Sequence, residues 1–161
     1  EDRVREVWKM YNVTTDSQQN AVFWYADSEG RIAFDKRIAY KEDGHRDKNH
    51  FPPREYRTAD GFTSRPYFGA HLVKEGEEVN IVESEKTALA CACYLGGTWL
   101  ACGGKNNLKD VANAKLYPDK DAYEEWSAKG TCVPWFEGWS ECGETSDIGY
   151  LIEWKVKNGK L

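Results

Sequence analysis

Two aspartates separated by one residue are the clearest chemical signal in the sequence. Asp119 and Asp121 follow a short apolar segment and precede a helical pattern, so both carboxylates can converge on one side of a strand-to-helix turn. Such a pair suits Mg²⁺, a hard ion that takes oxygen ligands and usually keeps waters and substrate phosphates in its shell. Because the chain has 27 Asp and Glu residues, two ordinary surface acids are the alternative interpretation.

A third acid, Glu83, ends an earlier apolar segment. If that segment is a strand next to the one before Asp119, Glu83 either completes the metal site or acts as general acid/base toward a ribose hydroxyl. Together the three acids predict a divalent-metal site for phosphoryl transfer on nucleic acid.

The segments around these acids predict strands that alternate with helices. We expect strands at 80–83, 98–102, 115–117 and 131–139, helices at 84–94, 108–114 and 121–129, and a helix or strand at 148–155. This alternation is typical of a mostly parallel sheet with helices on both faces. Ligands of such sheets bind beyond the carboxyl ends of the strands, which is where Glu83 and Asp119 fall.

The first half of the chain has a different pattern. Residues 1–12 predict an amphipathic helix, with Val4, Val7, Trp8 and Tyr11 on one face. Residues 21–25 and 31–40 predict a β-hairpin with a Gly-containing turn, and the polar residues 41–65 predict a long loop. We therefore divide the chain into a small α+β region at 1–75 and an α/β domain at 76–161, which can also pack as one unit.

Basic and aromatic residues interleave between residues 36 and 57. They are Lys36, Arg37, Tyr40, Lys41, His45, Arg46, Lys48, His50, Phe51, Arg54, Tyr56 and Arg57. An arm of this composition tracks single-stranded nucleic acid by charge and stacking, which makes Arg46 and Lys48 candidate nucleic-acid contacts. Five acids in or beside the arm favour a solvated loop as the alternative. Trp135, Phe136 and Trp139, which precede a polar loop, are further candidates for stacking on bases or on a missing domain. A role in the core is the alternative for the tryptophans.

The composition sets limits on the class of protein. With 40% hydrophobic and 30% charged residues, the 161-residue chain is a globular protein of about one domain. No apolar run approaches the roughly 20 residues that span a bilayer, so we expect a cytoplasmic protein without a membrane partner. Five cysteines without CxxC spacing predict reduced thiols, and the net charge of −5 argues weakly against a general nucleic-acid-binding surface. The start at Glu1 suggests a fragment of a longer protein.

Three segments occur in an order that resembles the Toprim domain of primases, topoisomerases and some nucleases. They read N-I-V-E-S-E-K-T-A-L-A, T-W-L-A-C-G-G-K-N-N-L and L-Y-P-D-K-D-A-Y-E-E-W. The hallmarks of that domain are an acid after the first strand, a Gly-bearing turn after the second and DxD after the third. The amino-acid sequences of these segments resemble those of primase or mobilisation-type proteins of bacterial mobile elements. The resemblance covers residues 79–155.

The resemblance implies roles for particular residues. Glu83 would be the general acid/base, Asp119 and Asp121 the metal ligands, and Gly103 and Gly104 a tight turn that lets the backbone approach a phosphate. Asp147 would be a further acid of the metal site, although a helix N-cap explains it equally well. Lys86 and Lys105 are candidate catalytic or phosphate-binding residues, with solvated surface positions as the alternative.

From this resemblance we expect a Toprim-like Rossmannoid fold and a primase-like nucleotidyltransferase that uses Mg²⁺ or Mn²⁺. Its expected partners are single-stranded DNA or a primer-template, nucleoside triphosphates, and a helicase or flanking domains of the same protein. One alternative is a Toprim nuclease that uses the same acids to activate water. Another is a non-catalytic Toprim module that binds nucleic acid or a helicase.

Overall fold

The computed structural model describes residues 1–53, 58–109, 113–137 and 146–161. These residues form two compact units, Glu1–Leu72 and Val73–Leu161. None of the described helices has the length and apolar character needed to cross a lipid bilayer.

The unit Glu1–Leu72 combines one helix with an antiparallel sheet. Helix α1 covers Asp2–Met10, and the strands are β1 (Val13–Thr15), β2 (Ala21–Ala26) and β3 (Ile32–Ile38), in the order β1-β2-β3. The predicted helix and hairpin are present. Strand β1 was not predicted, because three residues are too few to reveal an alternating pattern.

Aromatic side chains form the core of this unit. Phe68 is fully buried, and its ring centroid lies 5.5 Å from that of Tyr11 and 5.6 Å from those of Phe23 and Tyr25. Val7 of α1 and Tyr11 directly after it lie in the interior, but Trp8 keeps 40% of its surface exposed. The helix therefore buries a narrower face than its sequence pattern predicted.

An ion-paired cluster stabilises the hairpin. Asp35 on β3 is fully buried, and Arg37 Nε lies 3.0 Å from its Oδ2. Arg37 Nη1 also lies 3.4 Å from Asp16 Oδ2. Arg37 therefore pairs with the carboxylates of Asp35 and Asp16. Its sequence position had indicated a solvent-facing basic arm, and Arg37 is not part of one.

The unit Val73–Leu161 is built on a parallel sheet. Its strands are β4 (Val79–Val82), β5 (Trp99–Ala101) and β6 (Ala114–Leu116), in the order β5-β4-β6 with both pairs parallel. Its helices are α2 (Glu85–Tyr94), α3 (Tyr123–Ser127) and α4 (Ile148–Lys157). The predicted α/β class, with helices flanking a parallel sheet, is confirmed.

Two predicted elements of this unit differ from the structure. Instead of a helix at 108–114, a 3₁₀ turn at Lys105–Asn107 precedes Leu108 and Lys109, which have no regular structure, and residues 110–112 lie outside the described part. Instead of a strand at 131–139, the described residues make one parallel bridge, between Cys132 and Leu116. This segment pairs with β6 around Cys132, where the Leu116 N–H donates to Thr131 and the Val133 N–H donates to Leu116, and Trp135 beyond it is buried in the core. Periodicity does not distinguish a paired residue from one that is only buried.

Helices α2 and α4 approach each other closely at a glycine. A Cβ placed on Gly149 would lie 2.9 Å from both Thr87 Oγ1 and Asp147 Oδ1. Thr87 in turn donates its backbone N–H to the Ser84 hydroxyl, which caps the start of α2. The beginnings of both helices are therefore packed against each other beside the end of β4.

The Phe68 core gives a testable prediction. Replacing Phe68 with Ala removes a fully buried ring from three aromatic neighbours, so we expect a loss of about 3–5 kcal/mol in the free energy of unfolding. Urea denaturation followed by circular dichroism measures this loss. Phe51→Ala, at a side chain that is 74% exposed, is the matched control and should change the midpoint little. Equal midpoints for the two variants would contradict the described core.

Candidate metal centre

The parallel sheet brings three loops to one edge. Because β4 lies between β5 and β6 and all three run in the same direction, the residues after their carboxyl ends are neighbours. The backbone N–H of Gly103 donates to the carbonyl oxygen of Glu83 at 2.8 Å, and that of Tyr117 donates to Ile81 at 2.8 Å. These hydrogen bonds continue the ladder up to the residues that carry the acids.

Three carboxylates converge at this edge. Glu83, Asp119 and Asp121 each offer an oxygen atom, and these atoms all lie within 4.8 Å of one another. Glu83 and Asp119 are half-buried, whereas Asp121 is exposed. A divalent cation takes oxygen ligands and keeps water on its open side, which suits two sheltered acids and one that faces solvent.

The pKa values of two carboxyl groups in the cluster are raised. Burial, and after it the charge of Asp121, raises the pKa of Glu83, while a hydrogen bond from the backbone N–H of Asp119 lowers it. Burial, and then the charges of Glu83, Asp147 and Asp121, raises the pKa of Asp119 to about 8. Like charges held together in a sheltered site favour binding of a proton or a cation.

One oxygen of the cluster lacks a partner. Glu83 Oε1 is buried and accepts no hydrogen bond from the described residues. A buried polar atom without a partner is unfavourable in a folded protein, so such an atom suggests a missing ligand. The cluster thus fits a hard divalent cation in the charge, type and exposure of its donors.

Lys105 and the glycine turn lie beside these acids. Lys105 Nζ is 3.9 Å from Asp121 Oδ2, and its charge lowers the pKa of Glu83. Gly103 has a φ of +81°, which residues with a side chain rarely adopt, so the turn after β5 depends on glycine there. The Cys102 thiol donates to the carbonyl oxygen of Gly104 at 3.1 Å, and burial raises the pKa of this thiol to about 12. Cys102 is therefore a neutral packing residue of the turn.

The other candidate residues lie elsewhere. Asp147 caps α4 by accepting the backbone N–H of Tyr150 at 2.9 Å, and it acts on the cluster through its charge. Lys86 Nζ lies 3.9 Å from Glu153 on α4. Arg46 and Lys48 are exposed residues of the unit Glu1–Leu72.

Several predicted contacts fall on positions outside the described residues. These contacts are Arg54, Tyr56 and Arg57 of the basic arm, and Trp139. The fifth cysteine, Cys142, also lies outside the described residues. The described cysteines, Cys91, Cys93, Cys102 and Cys132, are free thiols.

Two tryptophans support the site in a way that the sequence did not indicate. Trp126 is fully buried, and its indole N–H donates to the carbonyl oxygen of Lys105 at 3.1 Å. Trp135 is 5% exposed, and its indole N–H donates to the carbonyl oxygen of Pro118 at 2.7 Å. The suggestion that Trp135 stacks on bases is therefore wrong, because its ring is buried. The Trp135 indole thus holds the loop that carries Asp119, and the Trp126 indole holds the loop that carries Lys105.

The chain has one family match. Residues 1–120 match the model of a family described as "Domain of unknown function (DUF6371)". No curated protein sequence gives a significant match.

Solved structures of primases are similar to this chain. One is a chain from the structure of bacteriophage T7 lagging-strand DNA polymerase interacting with primase domains bound to an RNA/DNA hybrid and dTTP. It is 15% identical with a TM-score of 0.58, and the match covers 96% of this chain and 80% of that chain. The primase fragment of the bacteriophage T7 primase-helicase protein is 15% identical with a TM-score of 0.56, over 97% of this chain and 66% of that one.

The catalytic domain of the primase DnaG, in a structure bound to single-stranded DNA, is also similar. It is 15% identical with a TM-score of 0.51, and the match covers 97% of this chain and 59% of that chain. The chain thus spans less than two thirds of the T7 primase fragment and of the DnaG domain. At these identities the likeness establishes the fold, and the predicted Toprim-like fold is confirmed.

The raised pKa of Asp119 predicts a stabilising substitution. In the fold this pKa is about 8 against an ordinary value of 3.8, so the folded state keeps a proton that the unfolded state releases. The resulting penalty is absent below about pH 4 and grows as the pH rises toward 8. After allowance for solvent screening, Asp119→Asn should stabilise the metal-free protein at pH 8 by ~1 kcal/mol, or roughly 2–4 °C in Tm.

Differential scanning calorimetry in EDTA at pH 4 and pH 8 measures this effect. Glu124→Gln, at an exposed carboxylate of the same unit, is the control and should leave the pH dependence of Tm unchanged. A Tm for Asp119→Asn equal to or below that of the wild type at pH 8 would contradict the crowded-charge description.

Proposed function

The chain belongs to the family DUF6371, a domain of unknown function, and we propose that it is a metal-dependent nucleotidyltransferase of the primase type. The observation that carries this proposal is the convergence of Glu83, Asp119 and Asp121 within 4.8 Å at the carboxyl edge of the parallel sheet. The reaction would extend or start a primer on single-stranded DNA.

The proposed cofactor is Mg²⁺ or Mn²⁺, held by Asp119, Asp121 and Glu83. The unpartnered Glu83 Oε1 and the raised pKa values of Glu83 and Asp119 support this assignment. Held by these residues, such a cation would supply positive charge against a triphosphate and its reacting oxygens. Asp147 lies outside the group of carboxylates whose oxygens come within 4.8 Å of one another, so its proposed contribution is negative charge from the start of α4 rather than a ligand atom.

Glu83 is the proposed acid/base. Its pKa is raised by burial, which brings a carboxyl group closer to the neutral pH at which proton transfer is efficient. The backbone N–H of Asp119 hydrogen-bonds this carboxylate, while its Oε1 accepts no hydrogen bond from the described residues. Glu83 would accept the proton of the attacking sugar hydroxyl.

Lys105 is the proposed phosphate contact. Its ammonium group lies 3.9 Å from Asp121 and is nearly half exposed, so it can move to an incoming anion at small energetic cost. The backbone at Gly103 and Gly104 lacks side chains beside this position, which leaves room for a phosphate. Lys86 is the weaker candidate, because its nearest described acid is Glu153.

The proposed partners follow from the fold and its neighbours. Primase structures of this fold contain single-stranded DNA, an RNA/DNA hybrid or dTTP, and one comes from a primase-helicase protein. We infer the same classes for this chain: a single-stranded template, nucleoside triphosphates and a helicase or flanking domain. A role in replication or mobilisation of a mobile element is proposed from the amino-acid sequences around Glu83 and Asp119 alone.

Metal binding is the first test. We expect isothermal titration calorimetry to record saturable Mn²⁺ binding by the wild type and none by the Asp119→Asn/Asp121→Asn double variant. Because Asp119 must lose a proton first, the affinity should rise from pH 6.5 to pH 8, and the heat should depend on the buffer's ionisation enthalpy. The double variant Glu124→Gln/Glu125→Gln, which removes two exposed carboxylates, is the matched control. Unchanged binding by the Asp119/Asp121 variant would refute the site.

Activity separates the primase proposal from a nuclease. We expect incorporation of labelled nucleotides on a single-stranded DNA template, and a loss of roughly 10²–10⁴-fold in Glu83→Gln, which keeps the shape but not the proton acceptor. Release of nucleotides from single-stranded DNA in Mn²⁺ without any triphosphate would instead assign hydrolysis. Incorporation that persists in the Asp119→Asn/Asp121→Asn variant would contradict the assignment of these two acids as metal ligands.

A further inference from the structure

The unit Glu1–Leu72 contains a groove that the metal centre does not use. It has a volume of about 910 Å³, and residues of α1, β1 and the β2–β3 hairpin line it. Sites that bind small ligands usually have volumes of ~300–1,000 Å³, so the groove is large enough for one. Two tryptophans, Trp8 and Trp24, stand among its lining residues.

The two indoles are placed as surfaces for stacking. Trp8 on α1 keeps 40% of its surface exposed, which is unusual for a large aromatic side chain. Trp24 on β2 is half-buried, and its indole N–H donates to Thr14 Oγ1 at 2.9 Å. That hydrogen bond satisfies the polar edge of Trp24 and fixes the ring within the groove.

The charge of the groove has one sign. Its charged lining residues, within the described part of the chain, are Arg5 and Lys9, four positions apart and so on the same face of α1. Glu6 of the same helix lies outside the groove lining and pairs with Arg3 at 3.7 Å. Arg5 Nη2 lies 3.9 Å from Glu1, but both side chains are more than three quarters exposed, so exchange of this pair for a phosphate costs little.

We propose that this groove binds single-stranded nucleic acid, with bases stacked on Trp8 and Trp24 and the phosphate backbone beside Arg5 and Lys9. Aromatic platforms combined with cations are the chemistry that holds unpaired strands without sequence preference. A second copy of this chain or an apolar peptide is the competing occupant. Both charged lining residues are cations, which favours a polyanion over an apolar peptide. A second copy of this chain mixes 22 basic with 27 acidic residues, so it offers a less uniform negative charge than a nucleic acid does.

The proposal goes beyond the metal centre and is independent of it. The groove belongs entirely to the unit Glu1–Leu72 and contains none of the three clustered acids. Binding of a strand here requires no divalent cation, so a test in EDTA can succeed even if the metal centre fails, and the reverse also holds.

Fluorescence anisotropy of a labelled oligothymidylate of about 12 nucleotides, titrated with the whole chain in EDTA at low salt, is the experiment. Trp8→Ala should raise Kd about tenfold, and Trp8→Phe should keep most of the affinity because it retains a stacking ring. Trp8→Leu, which is apolar without a π face, should behave like Trp8→Ala. Circular dichroism confirms that each variant is folded.

A charge-matched pair tests the cationic half of the groove. Lys9→Glu should weaken binding at least tenfold and lower the salt dependence of Kd. Arg3→Glu is the control, because it changes the net charge equally on the same helix but lies outside the groove, and it should weaken binding less. Equal losses in the two variants would overturn the proposal in favour of non-specific charge attraction. Absence of binding by the wild type, or unchanged binding by Trp8→Leu, would also overturn it.

Self-association is the remaining outcome. If sedimentation shows a dimer that Trp8→Ala dissociates, while the oligonucleotide does not bind or does not compete, the groove is an interface between copies and the proposal is wrong. If the oligonucleotide binds a monomer and Trp8→Ala weakens that binding, the proposal holds.

Discussion

The parallel pairing of β4 with β5 and β6 is the constraint on which the candidate site depends. Glu83 and Asp119 are 36 positions apart in the sequence, yet each follows the carboxyl end of a strand, and neighbouring parallel strands end at the same edge. The ladder continues through Gly103, whose N–H reaches the Glu83 carbonyl oxygen. A shift in this register would move the acids relative to each other by the rise of one residue, ~3.3 Å, which is comparable to their present spacing.

Bringing the acids together costs stability, and the surrounding structure offsets that cost. Burial and mutual repulsion raise the pKa values of Glu83 and Asp119. The Asp119 N–H and the Lys105 ammonium group compensate part of the negative charge. Packing of α2 against α4 at Gly149 holds the two helix starts beside the end of β4, next to the acidic cluster. Unfavourable local electrostatics offset by the surrounding packing is typical of functional sites.

The residues that follow the parallel strands could be predicted from the sequence. Glu83, Gly103 and Asp119 each come directly after a short apolar run, and the parallel-sheet rule then places them at one edge. The hairpin at β2 and β3 was readable for the same reason, since a Gly-bearing turn separates two β-rich runs. What failed was the extent of the last predicted strand: residues 131–133 pair with β6, but Trp135 is buried in the core and donates its indole N–H to the Pro118 carbonyl oxygen. Likewise, nothing in the spacing of Trp8 and Trp24 reveals that they share a groove, because they meet through tertiary packing.

The indoles of Trp126 and Trp135 restrict how this site can change over evolutionary time. Each fills the interior with a large apolar ring and donates one hydrogen bond to a main-chain carbonyl, of Lys105 or of Pro118. Tryptophan is the side chain that combines a ring of this size with a single N–H donor and no charge. Phenylalanine would fill most of the volume but leave the carbonyl without a donor, and histidine would donate but leave a cavity. The loops of the cluster can therefore vary in their exposed residues, such as Lys120, more freely than at these two interior positions.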